Sequence, residues 1–151
     1  MVDPLIRTAT HDDLSDLVWL EGLARHRLLA QRGGELWLAR HRAQSPGWQA
    51  VAAQRVLVGE IDDVVVGYLR FEDCDDVIYV RDVFVHPEAR EVGFGDALLA
   101  AAIDVGRRFG ATRIEAEALP GDRETKNLYE RAGITAKRIT VSAPIADLGA
   151  E

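Results

Sequence analysis

The sequence predicts a mixed α/β fold in which helices cover both faces of a mostly antiparallel central sheet. Three strand-like runs follow one another in the middle of the chain, and the short turn between the first two favours an antiparallel hairpin. Farther along, a helix separates two strands, and such a crossover places its strands parallel in one sheet. The predicted order of elements is therefore β-α-α-β-β-β-α-β-α-β.

Length and composition restrict the class of protein. A chain of 151 residues predicts one domain, spanning residues 1–151, and 48% hydrophobic with 28% charged residues is ordinary globular usage. The net charge of −7 disfavours a nucleic-acid partner, because an acidic surface repels phosphates. The single cysteine, Cys74, excludes an intrachain disulfide and a cysteine-based zinc site. The histidines have no metal-ligand spacing, so no metal is expected.

Two further patterns concern location. No apolar run approaches the ~18 residues of a membrane span, so no membrane partner is expected. The first residues, Met-Val-Asp-Pro, carry no basic patch followed by an apolar stretch, so no secretory leader is expected. The sequence therefore predicts a cytoplasmic protein.

The N-terminal third predicts a strand followed by two helices. Residues 5–9 form the strand, and Thr10 is a predicted N-cap, with Asp13 at capping-box spacing. Apolar residues at helical spacing continue the first helix until two glycines end it. Residues 35–42 form the short second helix. Two tryptophans of this region, Trp19 and Trp37, are predicted to belong to the core, with contact to a ligand as the alternative.

The middle of the chain predicts three consecutive strands. Residues 55–61 and 64–71 form the hairpin. An acidic loop follows at 72–76, and a third strand, rich in β-branched and aromatic residues, covers 77–85. That strand ends before Pro87, because proline cannot donate to the ladder.

The C-terminal part predicts two helices alternating with two strands. The first helix covers about 95–109 and the next strand 113–118. A proline and a glycine then break the chain before a helix at 122–132. Residues 134–141 complete the prediction as a last strand.

The junction between the third strand and the following helix has the features of an anion site. Arg90, Gly93 and Gly95 stand where the helix begins, with free N–H groups and the positive end of the helix dipole. Glycines allow close approach of the backbone, which suits a pyrophosphate. A dinucleotide motif would need a third glycine where Leu98 stands, and no Gly-Lys-Ser/Thr triplet forms a P-loop.

The pattern Arg90-x-x-Gly93-x-Gly95 after a strand resembles the acyl-CoA pyrophosphate loop of the GNAT superfamily of N-acetyltransferases. A second signature is similar as well, since a downstream helix carries Tyr129 four residues before Gly133. The resemblance extends over nearly the whole chain and implies a GNAT-like sheet. It also implies an acyltransferase that moves an acetyl group from acetyl-CoA to a primary amine by direct attack on the thioester.

The resemblance also implies roles for individual residues. Backbone groups of Phe84 and Val85 would hold the pantetheine arm and the thioester carbonyl. Tyr129 would lie near the thioester sulfur and act as a general acid, although a purely structural core tyrosine would give the same pattern. Asn127 would contact the cofactor or face solvent. The pyrophosphate would be held, chiefly through backbone N–H groups, by the loop residues Arg90, Glu91, Val92, Gly93, Phe94, Gly95 and Asp96.

The sequence departs from the family pattern at two functional positions. Asp122 replaces a common asparagine that bonds pantetheine; an ionised aspartate accepts but cannot donate, and it could instead cap the helix. Tyr79 stands where some relatives have a glutamate base. Asp82 and Glu72 are the nearby alternatives for that base.

The partners and alternatives follow from the same resemblance. The acceptor would be a small-molecule or protein amine, and family members often form homodimers, which a free edge at the last strand would permit. One alternative function is an acyl-CoA-binding sensor or partner module without transfer activity. A further alternative is a structural protein that binds no cofactor.

Overall fold

Helices flank a five-stranded sheet in the computed structural model, which describes residues 4–149. The strands lie in chain order across the sheet, and β4–β5 is the parallel pair while the other neighbours are antiparallel. This confirms the predicted class of sheet. The strands are β1 (Leu5–Thr8), β2 (Val56–Ile61), β3 (Val64–Cys74), β4 (Val77–Val85) and β5 (Arg113–Ala116).

Five α-helices connect the strands. A short 3₁₀ turn (His11–Asp13) precedes α1, and the Asp13 carboxylate accepts the Thr10 N–H at 2.8 Å, as the capping-box spacing predicts. The four-residue helix α3 was not predicted from the sequence. The helices are α1 (Leu14–Leu28), α2 (Gly34–Arg40), α3 (Gln49–Ala52), α4 (Phe94–Arg108) and α5 (Arg123–Arg131).

The two faces of the sheet carry separate hydrophobic clusters. On one face, Leu17 and Leu20 of α1 pack with Trp48, Tyr68 and Phe84. On the other face, α4 and α5 cover the sheet with leucines, alanines and Tyr129. The helices thus lie on both faces, as the sequence predicts.

The prediction that Trp19 and Trp37 belong to the core is wrong. Trp19 is 51% exposed, because it lies on the side of α1 opposite to the buried Leu17 and Leu20, and its ring stacks on His86 with centroids 5.0 Å apart. Trp37 is half-buried and lines a cavity described below. The tryptophan that the core contains is Trp48.

Two predicted boundaries also differ from the structure. The predicted acidic loop at 72–76 is shorter, because Glu72 to Cys74 continue β3 and only the following two aspartates turn. The predicted last strand at 134–141 is wrong, since that segment has no regular structure and Ile139 and Val141 are 83% and 89% exposed. Its β-branched residues favour a strand, but no strand within residues 4–149 pairs with this segment.

A β-bulge in β4 changes the face of the sheet to which every second residue of this strand points. Arg70 of β3 pairs with Asp82, but the next residue of β3 pairs with Val80, so Arg81 is an extra residue in β4. Before the bulge, Val80 packs in the cluster beneath α4. After it, Phe84 packs in the cluster beneath α1. Asp82, two residues before Phe84, is thereby turned to the α1 face.

The parallel strands β4 and β5 separate beyond the bulge. Their pairing begins at Val77 with Arg113 and ends at Val80 with Ala116. The strand β4 continues to Val85, whereas β5 ends at Ala116. The residues that follow Val80 therefore line an opening in the sheet.

Among the described residues, no helix combines the length and the apolar character that crossing a membrane requires. Residues 1–3, which belong to the segment used to predict the absence of a secretory leader, lie outside the described residues.

Candidate active site

A cavity of about 110 Å³ lies where β4 and β5 separate; we call it the sheet cavity. Strand β4 contributes Asp82 and Phe84, and the segment after β5 contributes Glu117 and Leu119. Tyr129 of α5 completes this side. Since Phe84 belongs to the cluster beneath α1 and Tyr129 to the cluster beneath α4, the cavity joins the two faces of the sheet.

Tyr129 is held by the end of α5. Its backbone carbonyl accepts N–H groups from Ala132 and Ile134 at 3.0 and 2.9 Å, and 7% of the residue is exposed. Burial, with Asp82 as the next contributor, raises the pKa of the Tyr129 phenol above its usual value. The hydroxyl is therefore protonated at neutral pH and is available as a hydrogen-bond donor in the sheet cavity. The catalytic role of Tyr129 stays a prediction.

Asp82 is the carboxylate on the opposite wall. Its side chain is 19% exposed and accepts the Arg70 Nε at 3.3 Å. Burial is the largest influence and raises its pKa, although the Arg70 guanidinium opposes this effect. A carboxyl group with a raised pKa is a stronger base than an ordinary aspartate.

The other two positions considered for a base lie outside the sheet cavity. Glu72 is exposed and accepts the Arg81 Nη2 at 2.9 Å. Tyr79 precedes the bulge, and its pKa is raised mainly by the neighbouring carboxylate of Glu115. Of the three alternatives, only Asp82 lines the sheet cavity.

The loop before α4 presents a row of free backbone donors. Gly93 caps the 15-residue helix with φ +83°, and Glu91 also has a positive φ of 72°. Within residues 4–149, no protein acceptor is found for the backbone N–H groups of six consecutive residues: Glu91, Val92, Gly93, Phe94, Gly95 and Asp96. A row of unpaired N–H groups at a helix N-terminus fits a diphosphate. The space around Gly93 is open, since a Cβ added there would meet nothing within 4 Å.

Arg90 braces this loop. Its Nε donates to the Val85 carbonyl at 3.2 Å, and its Nη1 lies 2.8 Å from a carboxylate oxygen of Glu124. The guanidinium also lies over the Phe84 ring, 5.8 Å from the centroid. The loop is thus fixed to both β4 and α5.

The free edge of β4 presents backbone groups to the sheet cavity. The His86 N–H donates to the Val66 carbonyl at 2.7 Å, so His86 points its backbone toward β3. Backbone groups alternate between the two edges of a strand. The N–H of Phe84 therefore also points toward β3, whereas those of Val83 and Val85 point toward the opening.

Asp122 caps α5 and is occupied by protein partners. Its Oδ2 accepts the Thr125 hydroxyl at 2.7 Å, and its Oδ1 accepts the Arg27 Nη2 at 2.6 Å. Burial acts to raise the pKa of Asp122, but the bonds from Arg27 and Thr125 outweigh it and hold the pKa below its usual value. The capping alternative is confirmed, and a contact between Asp122 and cofactor stays a prediction.

The remaining predicted residues lie on α5 and in the first turn of α4. Asn127 is exposed on α5. Asp96 at the start of α4 is paired with Arg131 of α5, whose Nη2 lies 3.0 Å from its Oδ1. This ion pair ties the two helices that flank the loop.

Sequence reasoning missed three residues of the site. Arg27 of α1, Trp37 of α2 and Glu117 after β5 all line the sheet cavity. Arg27 bonds a partner 95 residues away, so no local pattern could have revealed it. Over residues 4–149, no group of three or more histidine, cysteine, aspartate or glutamate side chains is arranged to hold a metal ion.

The comparisons with known proteins agree with this geometry. A model of the acetyltransferase (GNAT) family matches residues 13–134, and the chain belongs to that family. The protein named probable N-acetyltransferase camello of Xenopus tropicalis is 31% identical over 87 residues. That alignment covers 56% of this chain, and it spans only 40% of the length of the curated relative.

Two solved structures illustrate the shared fold. The yncA protein of Salmonella typhimurium, determined with acetyl-CoA, is 26% identical with a TM-score of 0.69, covering 87% of this chain and 79% of that one. The AAC(6')-Iy enzyme, determined with a bisubstrate analog of CoA and acetylneamine, is 18% identical with a TM-score of 0.67, covering 93% and 97%. The predicted family and fold are confirmed, and the family is one of acetyltransferases.

Proposed function

We propose that this protein transfers an acetyl group from acetyl-CoA to a primary amine by direct attack of the amine on the thioester. The observation that carries the proposal is the sheet cavity itself. Tyr129 and Asp82 line its walls, and a row of unpaired backbone N–H groups begins α4. Arg90 fixes that row of donors to β4 and to α5, the two elements that carry Asp82 and Tyr129.

The chain offers two backbone surfaces to the cofactor. The N–H groups of residues 91–96 would hold the diphosphate, supported by the dipole of α4. The free edge of β4, with the N–H groups of Val83 and Val85, would hold the pantetheine arm. Acetyl-CoA, when bound, supplies an acetyl group activated as a thioester.

Asp82 is the proposed base. A primary amine attacks only when its nitrogen is uncharged, and the new amide forms with loss of a proton from that nitrogen. The Asp82 carboxylate would accept this proton, which then returns to solvent or to the departing sulfur. Its raised pKa supports this role, because the carboxylate holds a proton more strongly than an ordinary aspartate does.

Tyr129 is the proposed donor to the departing sulfur. Its pKa is raised, whereas a free thiol has a pKa of about 8.5, so the phenol is the weaker acid of the two. We therefore attribute its effect to a hydrogen bond to the sulfur as the carbon–sulfur bond breaks. Such a bond to a group that gains charge contributes about 1.5–3 kcal/mol.

Relatives support an amine as the acceptor. The camello protein is named as an N-acetyltransferase, and AAC(6')-Iy was determined with an analog containing acetylneamine. The presence of Asp82 in the sheet cavity favours transfer over the alternative of a sensor, because a pure binding module needs no proton acceptor there.

Two measurements test the proposal in sequence. Thermal unfolding is followed with and without acetyl-CoA at about 100 times its dissociation constant, where binding adds about 2.7 kcal/mol. The expected rise in Tm is roughly 5–10 °C for a chain of this size. Acetylated products of an amine panel are then measured by mass spectrometry. A rise in Tm without any product would favour the sensor. No rise would overturn both the acetyltransferase and the sensor hypotheses.

A further inference from the structure

The sheet cavity is enclosed on the side of α1 and α2 by two loops that meet. The loop between α1 and α2 contacts the loop between β5 and α5: a Cβ added to Gly121 would lie 2.9 Å from the Gln31 Oε1. A Cβ added to Gly33 would lie 3.6 Å from the Leu119 side chain. The ion pair between Arg27 and Asp122 joins the same two regions. The cavity is therefore closed on this side by the two loops.

The wall on this side is largely apolar. It is formed by Ala24, Leu28, Trp37 and Leu119. The Trp37 ring stacks on His41 with centroids 4.2 Å apart, and the His41 Nδ1 lies 2.8 Å from the Trp37 carbonyl. The indole is thus supported from behind and presents a firm flat surface.

The charged groups of the sheet cavity favour a cation. Its two cationic side chains have carboxylate partners, because Arg27 pairs with Asp122 and Arg81 pairs with Glu72. Glu117 has no ion-pair partner among residues 4–149. An ammonium group would therefore find an unpaired carboxylate there, whereas a substrate carboxylate would find no unpaired guanidinium among the side chains that line the cavity.

The size of the cavity limits the acceptor further. Its volume is about 110 Å³. For scale, an engineered apolar cavity of about 150 Å³ binds benzene. The acetyl thioester would share this space, so an acceptor body of at most about one ring fits beside it, and a sugar with several hydroxyl groups would lose its hydrogen bonds to water against the apolar wall.

We propose that the acceptor is a small primary amine with an apolar body of about one ring and no carboxylate, seated on Trp37. This inference rests on the proposed function and names its substrate class. It excludes as preferred acceptors amino acids, aminosugars and the amino termini of proteins.

Matched amines test the substrate class. Acetylation of 2-phenylethylamine is compared with that of L-phenylalanine, which has the same body plus a carboxylate, with glucosamine and with a short peptide. We expect kcat/KM for 2-phenylethylamine to exceed each of the others by about tenfold or more. A higher kcat/KM for any of the others would overturn the inference and leave the proposed function intact.

Matched tryptophan variants test the proposed seat. The change Trp37→Ala is expected to raise KM for 2-phenylethylamine by about tenfold, with a smaller change in kcat. The control Trp19→Ala removes the other histidine-stacked tryptophan, which does not line the cavity, and is expected to change KM less than about twofold. Equal effects of the two changes would overturn the inference.

Binding separates the two proposals if no amine is acetylated. Calorimetry then measures 2-phenylethylamine binding to the protein saturated with CoA. Binding that Trp37→Ala weakens and Trp19→Ala spares would support the cavity assignment although transfer had failed. Absence of binding would overturn the assignment.

Discussion

The Arg27 guanidinium donates two hydrogen bonds to the Asp122 carboxylate, from Nη2 to Oδ1 at 2.6 Å and from Nη1 to Oδ2 at 3.3 Å. Arg27 belongs to α1, which covers one face of the sheet, and Asp122 begins α5, which covers the other. The pair therefore fixes the helix that carries Tyr129 to the helix that walls the sheet cavity.

Removing the Asp122 carboxylate should destabilise the fold substantially. Asp122→Ala removes an N-cap and leaves the partly buried Arg27 guanidinium with only the exposed Glu124, 3.7 Å away, so we expect a loss of about 2–4 kcal/mol in unfolding free energy. Urea unfolding measures the loss. The control Asp104→Ala breaks an exposed ion pair with Arg107 and should cost less than about 0.5 kcal/mol. Similar losses for both variants would contradict this account of Asp122.

Asp82 should control the acid limb of activity. Only the carboxylate accepts a proton, so kcat/KM should rise as the pH increases through the raised pKa of Asp82 and then level off. Asp82→Asn should lower kcat/KM by about 100-fold or more and remove this limb. Asp73→Asn changes an exposed carboxylate on β3 whose partner, Arg55, lies outside the sheet cavity, so it should leave the profile unchanged. An unchanged acid limb in Asp82→Asn would eliminate Asp82 as the base.

Tyr129 should affect turnover more than cofactor binding. Tyr129→Phe removes only the hydroxyl, and the loss of a bond worth about 1.5–3 kcal/mol corresponds to a decrease of about 10- to 100-fold in kcat. The dissociation constant of CoA, measured by calorimetry, should change little. Full turnover in this variant would show that the phenol packs in the core without a chemical role.

Gly93 should matter for cofactor binding, not only for the backbone. Gly93→Ala adds a methyl group beside the free N–H groups and introduces strain of about 1 kcal/mol at a positive φ. We expect CoA affinity to fall by about tenfold or more. Gly110→Ala is the matched control, since Gly110 also has a positive φ (77°) and open surroundings, but lies at the other end of α4. Equal CoA affinities in the two variants would argue against the loop as the diphosphate site.

Local sequence could predict the parts of the fold whose signals lie within a few neighbouring residues, such as strand composition, helix starts and caps. Strand β4 was predicted with its observed bounds, Val77–Val85, because a run of β-branched and aromatic residues ends just before Pro87. The loop with Gly93 was predicted because a helix start and a positive φ leave a sequence signature. The cap of α5 by Asp122 has a similar signature.

Other features depend on contacts between distant segments. The Arg27 partner is 95 residues away, and the role of Trp37 depends on where α2 meets the loop after β5. The prediction of a strand at 134–141 is wrong for a related reason. A strand needs a neighbour as well as an alternating pattern, and the outer edge of β5 is unpaired among the described residues. The homodimer suggested by the family resemblance stays a prediction.

Because Arg81 is the extra residue of the bulge in β4, the site depends on the presence of a residue at this position more than on the identity of its side chain. Replacing Arg81 would alter its ion pair with Glu72 and one side chain of the cavity lining. Deleting it would join Val80 to Asp82 in an uninterrupted ladder; this change keeps the pairs and faces of both residues but removes the bend and added twist of the bulge, at the point where β4 parts from β5. Substitutions at Arg81 should thus disturb the site less than its deletion, which should narrow the opening between β4 and β5.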